Sequence, residues 1–308
     1  MDFLHSVLLR ALPLVPRSLI RRVAGRYIAG ETREGLLRVV ERLHAEEIRT
    51  TVDLLGENVE TIQEAKGAAD EYDRLLDCLQ GKGPTPQVSV KLSLLGLRID
   101  ELLAESLLLR IVGRASRLGV GVFLDMEDSS TTDVTLRIYR RAREGFPSLG
   151  IAIQAYLRRS LRDVLDLLPL RPAVRVCKGI YNEPETLAFK DRQQIRESYV
   201  RLVELLLDGG AYPAIATHDA WLIERSLHLI RSRRVGAESH EFQMLLGVGE
   251  KLRPRIRAAG SFLRLYCPYG PDWYSYSLRR LKENPRMTGY IFKSVFTSKI
   301  LDRGHLGA

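Results

Sequence analysis

The sequence predicts an α/β chain folded as a (β/α)8 barrel of the TIM type, preceded by N-terminal helices. Three observations point there: eight short β-branched runs, a helix-patterned stretch between successive runs, and about 240 residues to hold the set, the size of such a barrel. The runs are IRTTVDLLG (48–56), QVSVKLS (87–93), GVGVFLDME (119–127), GIAIQAY (150–156), AVRVCKG (173–179), PAIATHD (213–219), HEFQMLLG (240–247) and SFLRLYCP (261–268). Their near-continuous apolar character suits parallel strands buried on both faces. The gaps are long enough for the helix that each parallel connection needs. LLLRIVGRASRL before the third run and SYVRLVELLLDGG before the sixth show the spacing of three and four. A doubly wound open sheet shares this alternation, because periodicity does not reveal closure. Against it, no GxGxxG or P-loop follows the first run. No linker or low-complexity stretch divides the chain, so residues 1–45 read as an N-terminal helical segment and 46–308 as one barrel with a C-terminal helical tail.

With 308 residues, 45% of them hydrophobic and 28% charged, the chain can bury a sizeable core. Its three cysteines, Cys78, Cys177 and Cys267, are odd in number and lack CxxC spacing, which argues against a disulfide framework or structural zinc and fits a reducing cytoplasm. The net charge of +9 favours an anionic lipid, nucleic acid or substrate without choosing among them. Much of the excess lies near the start, where Arg10, Arg17, Arg21, Arg22 and Arg26 stand among Leu, Val and Ile. Arg10 and the prolines break any secretory signal, and no window holds the roughly 20 apolar residues of a membrane span. A helix packed on the main domain and a basic amphipathic helix at a membrane surface both remain open here.

In a barrel, active-site groups gather where strands end. Asp53, Lys91, Asp125 with Glu127 and Asp128, Gln154, Arg175 with Lys178, Thr217 with His218, Gln243 and Tyr266 all fall there, which suggests a polar mouth on an apolar barrel. Lys91 is open to two uses, a Schiff base or an anion clamp. Farther on, DWYSYSLRRLKEN (272–284) has no Gly or internal Pro and stops at Pro285, as a helix does. Arg279 and Arg280 diverge by about 100° around such a helix, so one ligand can take both only at the edge they share. If this is the last barrel helix, its first turns lie near Lys91 and Tyr266, where three cations suit a carboxylate or phosphate. His218 lacks companion ligands at metal spacing, so Thr217 and His218 serve better as donors to a cofactor. Gly179 in KGIY lets backbone approach a ligand.

Taken together, TVDLLGE (51–57), VSVKLS (88–93), FLDMED (123–128), IAIQAYL (151–157), VRVCKGIY (174–181), ATHD (216–219), EFQMLLG (241–247), RLYCPYG (264–270) and LRRLKEN (278–284) resemble the proline dehydrogenase family, in family order over about 235 residues. The resemblance implies non-covalent FAD across the strand ends and oxidation of L-proline to pyrroline-5-carboxylate by hydride transfer, the first step of proline catabolism to glutamate. It marks Asp125 and Arg175 as catalytic, with Asp125 keeping Lys91 or Arg175 charged and aimed. It places Met126, Gln154, Lys178, Gly179, Ile180, Thr217 and His218 on the flavin. Lys91, Arg279 and Arg280 then hold the proline carboxylate, while Tyr266, Tyr181 and Leu245 line its ring. An excess of positive charge around the site is expected to lower the amine pKa. Two departures stand out: Ile180 where Ala is common, expected to tighten the pocket, and Asp219 where Asn is common, expected to alter a flavin contact. The implied electron acceptor is a membrane quinone, with the membrane surface and a pyrroline-5-carboxylate dehydrogenase as further partners and no nucleic acid. That makes the expected location cytoplasmic, peripheral at the inner face of the cell membrane. A Schiff-base aldolase-type barrel using Lys91 and a basic lipid- or nucleic-acid-binding module are the rival readings.

Overall fold

The computed structural model describes residues 21, 25–274 and 276–277. Helix α1 (Arg33–Ala45) leads into an alternation of β1 (Arg49–Leu54), α2 (Ile62–Leu79), β2 (Gln87–Val90), α3 (Glu101–Leu118), β3 (Gly121–Leu124), α4 (Thr132–Gly145), β4 (Gly150–Gln154) and α5 (Ser160–Leu167). It continues through β5 (Ala173–Cys177), α6 (Arg192–Asp208), β6 (Tyr212–Ala216), α7 (Ala220–Ser232), β7 (Glu241–Leu245), α8 (Arg253–Ala258) and β8 (Phe262–Tyr269). All eight strands are parallel and close in sequence order, with β8 pairing back onto β1 from Arg49↔Arg264 to Leu54↔Tyr269. Closure decides for the barrel over the open sheet.

Local sequence explains the helix starts. Thr61 and Glu64 form a capping box before α2, while Asp100, Asp191 and Asp219 accept backbone N–H groups at the first turns of α3, α6 and α7. Gly119 ends α3 in the left-handed conformation that a Cβ disfavours. The segment before α1 lies along β8: Ala29 N donates to Pro268 O at 2.8 Å, and Gly30 bridges Tyr269. Helix α1 then packs Leu36, Val40 and Leu43 into the core beside β1 and β8.

The strands carry two different faces. Val52, Val90, Leu124, Ile153, Val176 and Leu265 are buried in the main apolar cluster, facing the helix layer. Residues of the other parity meet across the barrel interior, since only there can β5 reach β2 or β7. These include Arg175, Gln243, Glu241 and Arg264, exposed by 5, 2, 0 and 1%. The expected apolar barrel under a polar mouth is therefore corrected: polar pairing runs down through the interior. Buried charge is tolerated there because each group finds hydrogen-bonded partners.

Candidate active site

Arg175 is the junction of the site. Pointing inward from β5, its Nε donates to Gln243 Oε1 on β7 at 2.7 Å. Its Nη1 donates to Ser89 Oγ on β2 at 2.7 Å and to Asp125 Oδ1, one residue past β3, at 2.5 Å. The rings of Phe123 and Tyr266 lie 4.8 and 5.1 Å from the guanidinium carbon. Nη2 is buried and has no hydrogen-bond partner among the described residues. A charged donor left this way is costly unless a ligand brings an acceptor.

Around it, Tyr266 donates its hydroxyl to Asp125 Oδ2 at 2.8 Å, so both oxygens of Asp125 accept. Burial raises the Tyr266 phenol well above its usual range, and Asp125 and Asp53 push the same way. Lys91, just past β2, pairs with Asp53 of β1. Burial opposes the ammonium charge, yet the carboxylates of Asp53 and Asp125 outweigh it and raise the Lys91 pKa. Asp125 thus aims Arg175 by direct contact and acts on Lys91 only through its field. A lysine held protonated is a poor Schiff-base nucleophile, which removes support from the aldolase reading. Glu127 takes Ser93 N at 2.9 Å and the Ser93 hydroxyl, while Gln154 Nε2 donates to Glu127 O at 2.8 Å. Burial pushes Glu127 up against those Ser93 bonds.

A second group follows β5 and β6. Lys178 Nζ donates to Asp219 Oδ2 at 2.6 Å, and Arg196 clamps both Asp219 oxygens at 2.8 and 2.9 Å. Arg192 stands 3.6 Å away, and Asp219 also accepts from Trp221 N at 3.1 Å as the cap of α7. This is what the Asp in place of Asn does locally. Thr217 Oγ1 accepts from Asp219 N at 3.1 Å. His218 Nε2 accepts from Leu245 N at 2.8 Å, which puts the ring proton on Nδ1. Gly179 has φ +106°, and a Cβ there would lie 2.1 Å from the Tyr156 ring. The Tyr156 hydroxyl is buried without a partner among the described residues. Met126 is buried, and Tyr181 is half-buried with its phenol raised by burial and then by Glu127 and Glu57.

The structure thus joins Asp125, Arg175 and Tyr266 directly, with Lys91 in their field, and links Lys178 with Thr217 through Asp219. Ile180 stands apart at 54% exposed, and Arg279 and Arg280 lie outside the described residues. Among the described residues, Lys91 and Arg175 face Asp53, Asp125 and Glu127 at the centre, and Arg279 and Arg280, which the expected cationic excess also counts, lie outside them. A separate cluster of positive charge stands around Asp219, where Lys178, Arg192 and Arg196 share one carboxylate. The sequence places Asp53, Glu127 and Gln243 at the mouth without giving them individual roles, and does not single out Ser89 or Phe123. The missed signal was the period of two: polar side chains on alternate positions inside otherwise apolar strands.

The proline dehydrogenase family model matches residues 36–291. The proline dehydrogenase of Deinococcus radiodurans is 37% identical over 279 residues, covering 89% of this chain and 90% of that protein. Proline dehydrogenase 1 of Bacillus subtilis subsp. natto is 35% identical over 272 residues, covering 88% and 90%. Among solved structures, proline utilization A from Bdellovibrio bacteriovorus, inactivated by N-propargylglycine, superposes with a TM-score of 0.79 at 26% identity. It covers 86% of this chain, which spans 33% of that longer one. With the family model and the two curated relatives each spanning most of its length, the chain belongs to the proline dehydrogenase family.

Proposed function

We propose that this chain, an enzyme that oxidises proline in proline catabolism, converts L-proline to pyrroline-5-carboxylate with non-covalent FAD as first electron acceptor and a membrane quinone as the second. The observation that carries the reading is Arg175, a buried guanidinium fixed on two sides whose Nη2 lacks an acceptor among the described residues. The residues present fit a flavin. Arg175 Nη2 and Tyr156 OH are buried donors without partners among the described residues, and Gly179 leaves backbone bare beside Tyr156. Met126, Gln154, Lys178, Gly179, Ile180, Thr217 and His218 would hold it, and the cations around Asp219 suit its diphosphate. When bound, FAD supplies the two-electron acceptor for the hydride that leaves the proline ring.

The chain's own part is binding and orientation. The Lys91 ammonium has three donors and gives one to Asp53, its hydrogen-bond partner among the described residues, so with Arg279 and Arg280 it would hold the substrate carboxylate. Binding energy at that remote group positions the ring against Tyr266, Tyr181 and Leu245. The ring nitrogen must lose its proton so that its lone pair can stabilise the departing hydride's carbon. Lys91 and Arg175 favour the neutral amine, while Asp53 and Asp125 oppose it.

Protein incubated with FAD and desalted should be yellow, and anaerobic proline should bleach it. The same preparation should reduce a soluble quinone analogue and sediment with anionic vesicles at low salt. Arg279→Met or Arg280→Met should raise KM for proline by about 30- to 1000-fold with flavin retained, as loss of one charge-assisted hydrogen bond predicts. A colourless product, or unchanged KM in both variants, overturns the corresponding part of the reading.

A further inference from the structure

Beneath the site runs a chain of buried polar groups in which chemistry allows each member one role. At its base Arg264 donates through Nη1 to Thr50 O at 2.7 Å and Thr85 O at 2.9 Å, and through Nη2 to Thr85 Oγ1 at 3.1 Å. Its Nε donates to Glu241 Oε1 at 2.7 Å. The same oxygen accepts from Gln243 Nε2 at 2.7 Å, and Gln243 Oε1 accepts from Arg175 Nε at 2.7 Å. A carboxylate only accepts and a guanidinium only donates, so Gln243 must turn its amine toward Glu241 and its carbonyl toward Arg175. The amide orientation follows from its neighbours rather than from shape.

We propose that Gln243 is a positioning residue for the reaction: held by Glu241 and Arg264, it fixes the rotation of the Arg175 guanidinium that aims Nη2 into the site. The inference rests on the proposed flavin-dependent oxidation for its kinetic consequence, though not for its geometry. Asp125 and Ser89 both take Nη1, which leaves the guanidinium free to swing about that end. The Nε bond to Gln243 is the second point that stops the swing. Phe123 and Tyr266 hold the plane, and Gln243 sets the angle within it. Nothing in this role requires Gln243 to touch substrate.

Two variants test it. Gln243→Met keeps the volume and removes the acceptor. It should lower kcat by about 10- to 100-fold with KM changed less than about threefold, the pattern of an interaction made in the transition state. Independently of activity, the Arg175 Nε–H signal in arginine-labelled protein should exchange with solvent much faster than in the parent. Gln243→Glu gives the sharper result. When protonated, Glu at 243 donates to Glu241 and accepts from Arg175, as the amide does. When ionised, it faces Glu241 as a like charge. The other charged or titratable groups around this point are Arg175 on β5, Tyr212 on β6, Arg264 on β8, Arg49 on β1 and Asp125 past β3. Its kcat should therefore approach the parent's at low pH and fall as pH rises, a titration absent from the parent. Parent-like kcat and Nε–H protection in Gln243→Met, or a parent-like pH profile in Gln243→Glu, overturns the proposal. If Gln243→Met does not fold, the Gln243→Glu profile decides. If the parent proves colourless and inactive, the flavin reading fails while Nε–H exchange still tests the positioning.

Discussion

At the residue scale the site depends on Asp125, whose two oxygens answer the guanidinium of Arg175 and the hydroxyl of Tyr266. Asp125→Asn keeps the shape and can keep its carbonyl toward Arg175 with its amide facing the Tyr266 hydroxyl, but it removes the negative charge that balances a cation 6% exposed in its side chain. Breaking a buried pair from one side costs about 3–5 kcal/mol, because the remaining charge stays buried. We expect a clear fall in thermal stability and a loss of about 100-fold or more in kcat/KM for proline. Near-parent kcat/KM in a folded Asp125→Asn would show that the pair serves stability alone. Much of this centre was legible because Asp125, Arg175 and Tyr266 sit inside motifs with few alternative readings. Gln243 and Ser89 were legible at most as polar positions alternating within apolar strands, because a neutral polar residue does not reveal its partner until the strand across the barrel is known. The pairing of Lys91 with Asp53 rather than Asp125 was equally hidden, since both carboxylates end strands neighbouring β2 in barrel order.

At the element scale, charge ties neighbouring units together. Arg110 and Arg114 of α3 reach Asp70, Asp73 and Asp77 of α2, and Arg137 and Arg141 of α4 reach Glu101 and Glu105 of α3. Such exposed pairs are screened by solvent and add little each, so they lace helices already held by apolar burial. They also show where part of the arginine content goes, which a net charge read from sequence cannot. Asp219 is the firmer tie, joining the end of β5, α6 and the start of α7. Burial works against its charge, but hydrogen bonds from Arg196 and Lys178 hold its carboxyl far below the usual range. Asp219→Asn retains a competent helix cap and loses the ionic link, so urea unfolding should show a loss of about 1–2 kcal/mol, smaller at high salt. An unchanged midpoint at low salt would mean the cations rest equally well elsewhere. All eight strands were legible as β-branched runs, whereas their ends were not. β2 and β3 stop at Val90 and Leu124, because the next residues turn to carry Lys91 and Asp125 into the mouth.

At the scale of the whole molecule, the barrel's amino-terminal end should set its tolerance to acid. His240 precedes β7, with Nδ1 donating to Gly236 O at 3.1 Å and Nε2 accepting from Ser261 Oγ at 2.8 Å. Burial lowers its pKa, against the Gly236 bond. His44 follows the same direction, lowered by burial and then by the charge of Arg264, with Nε2 3.2 Å from Thr50 Oγ1. Both rings stay neutral in the folded chain at a pH where the unfolded chain takes up protons. Their stabilising contribution is therefore complete above the unperturbed histidine value of about 6.5, begins to be lost below it, and is gone once pH has fallen through the lower folded value. Each ring can contribute a slope of at most about 1.4 kcal/mol per pH unit. On the alkaline side Lys91 is raised, so its share persists until pH climbs past the ordinary lysine range. Urea unfolding followed across the pH range should thus give a plateau from about 7 to 10 and a decline below about 6.5, before the carboxylates of Asp219 and Glu241, both lowered, begin to titrate. His240→Asn keeps a donor toward Gly236 and cannot ionise, so it should flatten the decline that begins below about pH 6.5 while leaving the later loss from the carboxylates in place. A decline of undiminished slope in that variant would move the acid response away from this end of the barrel.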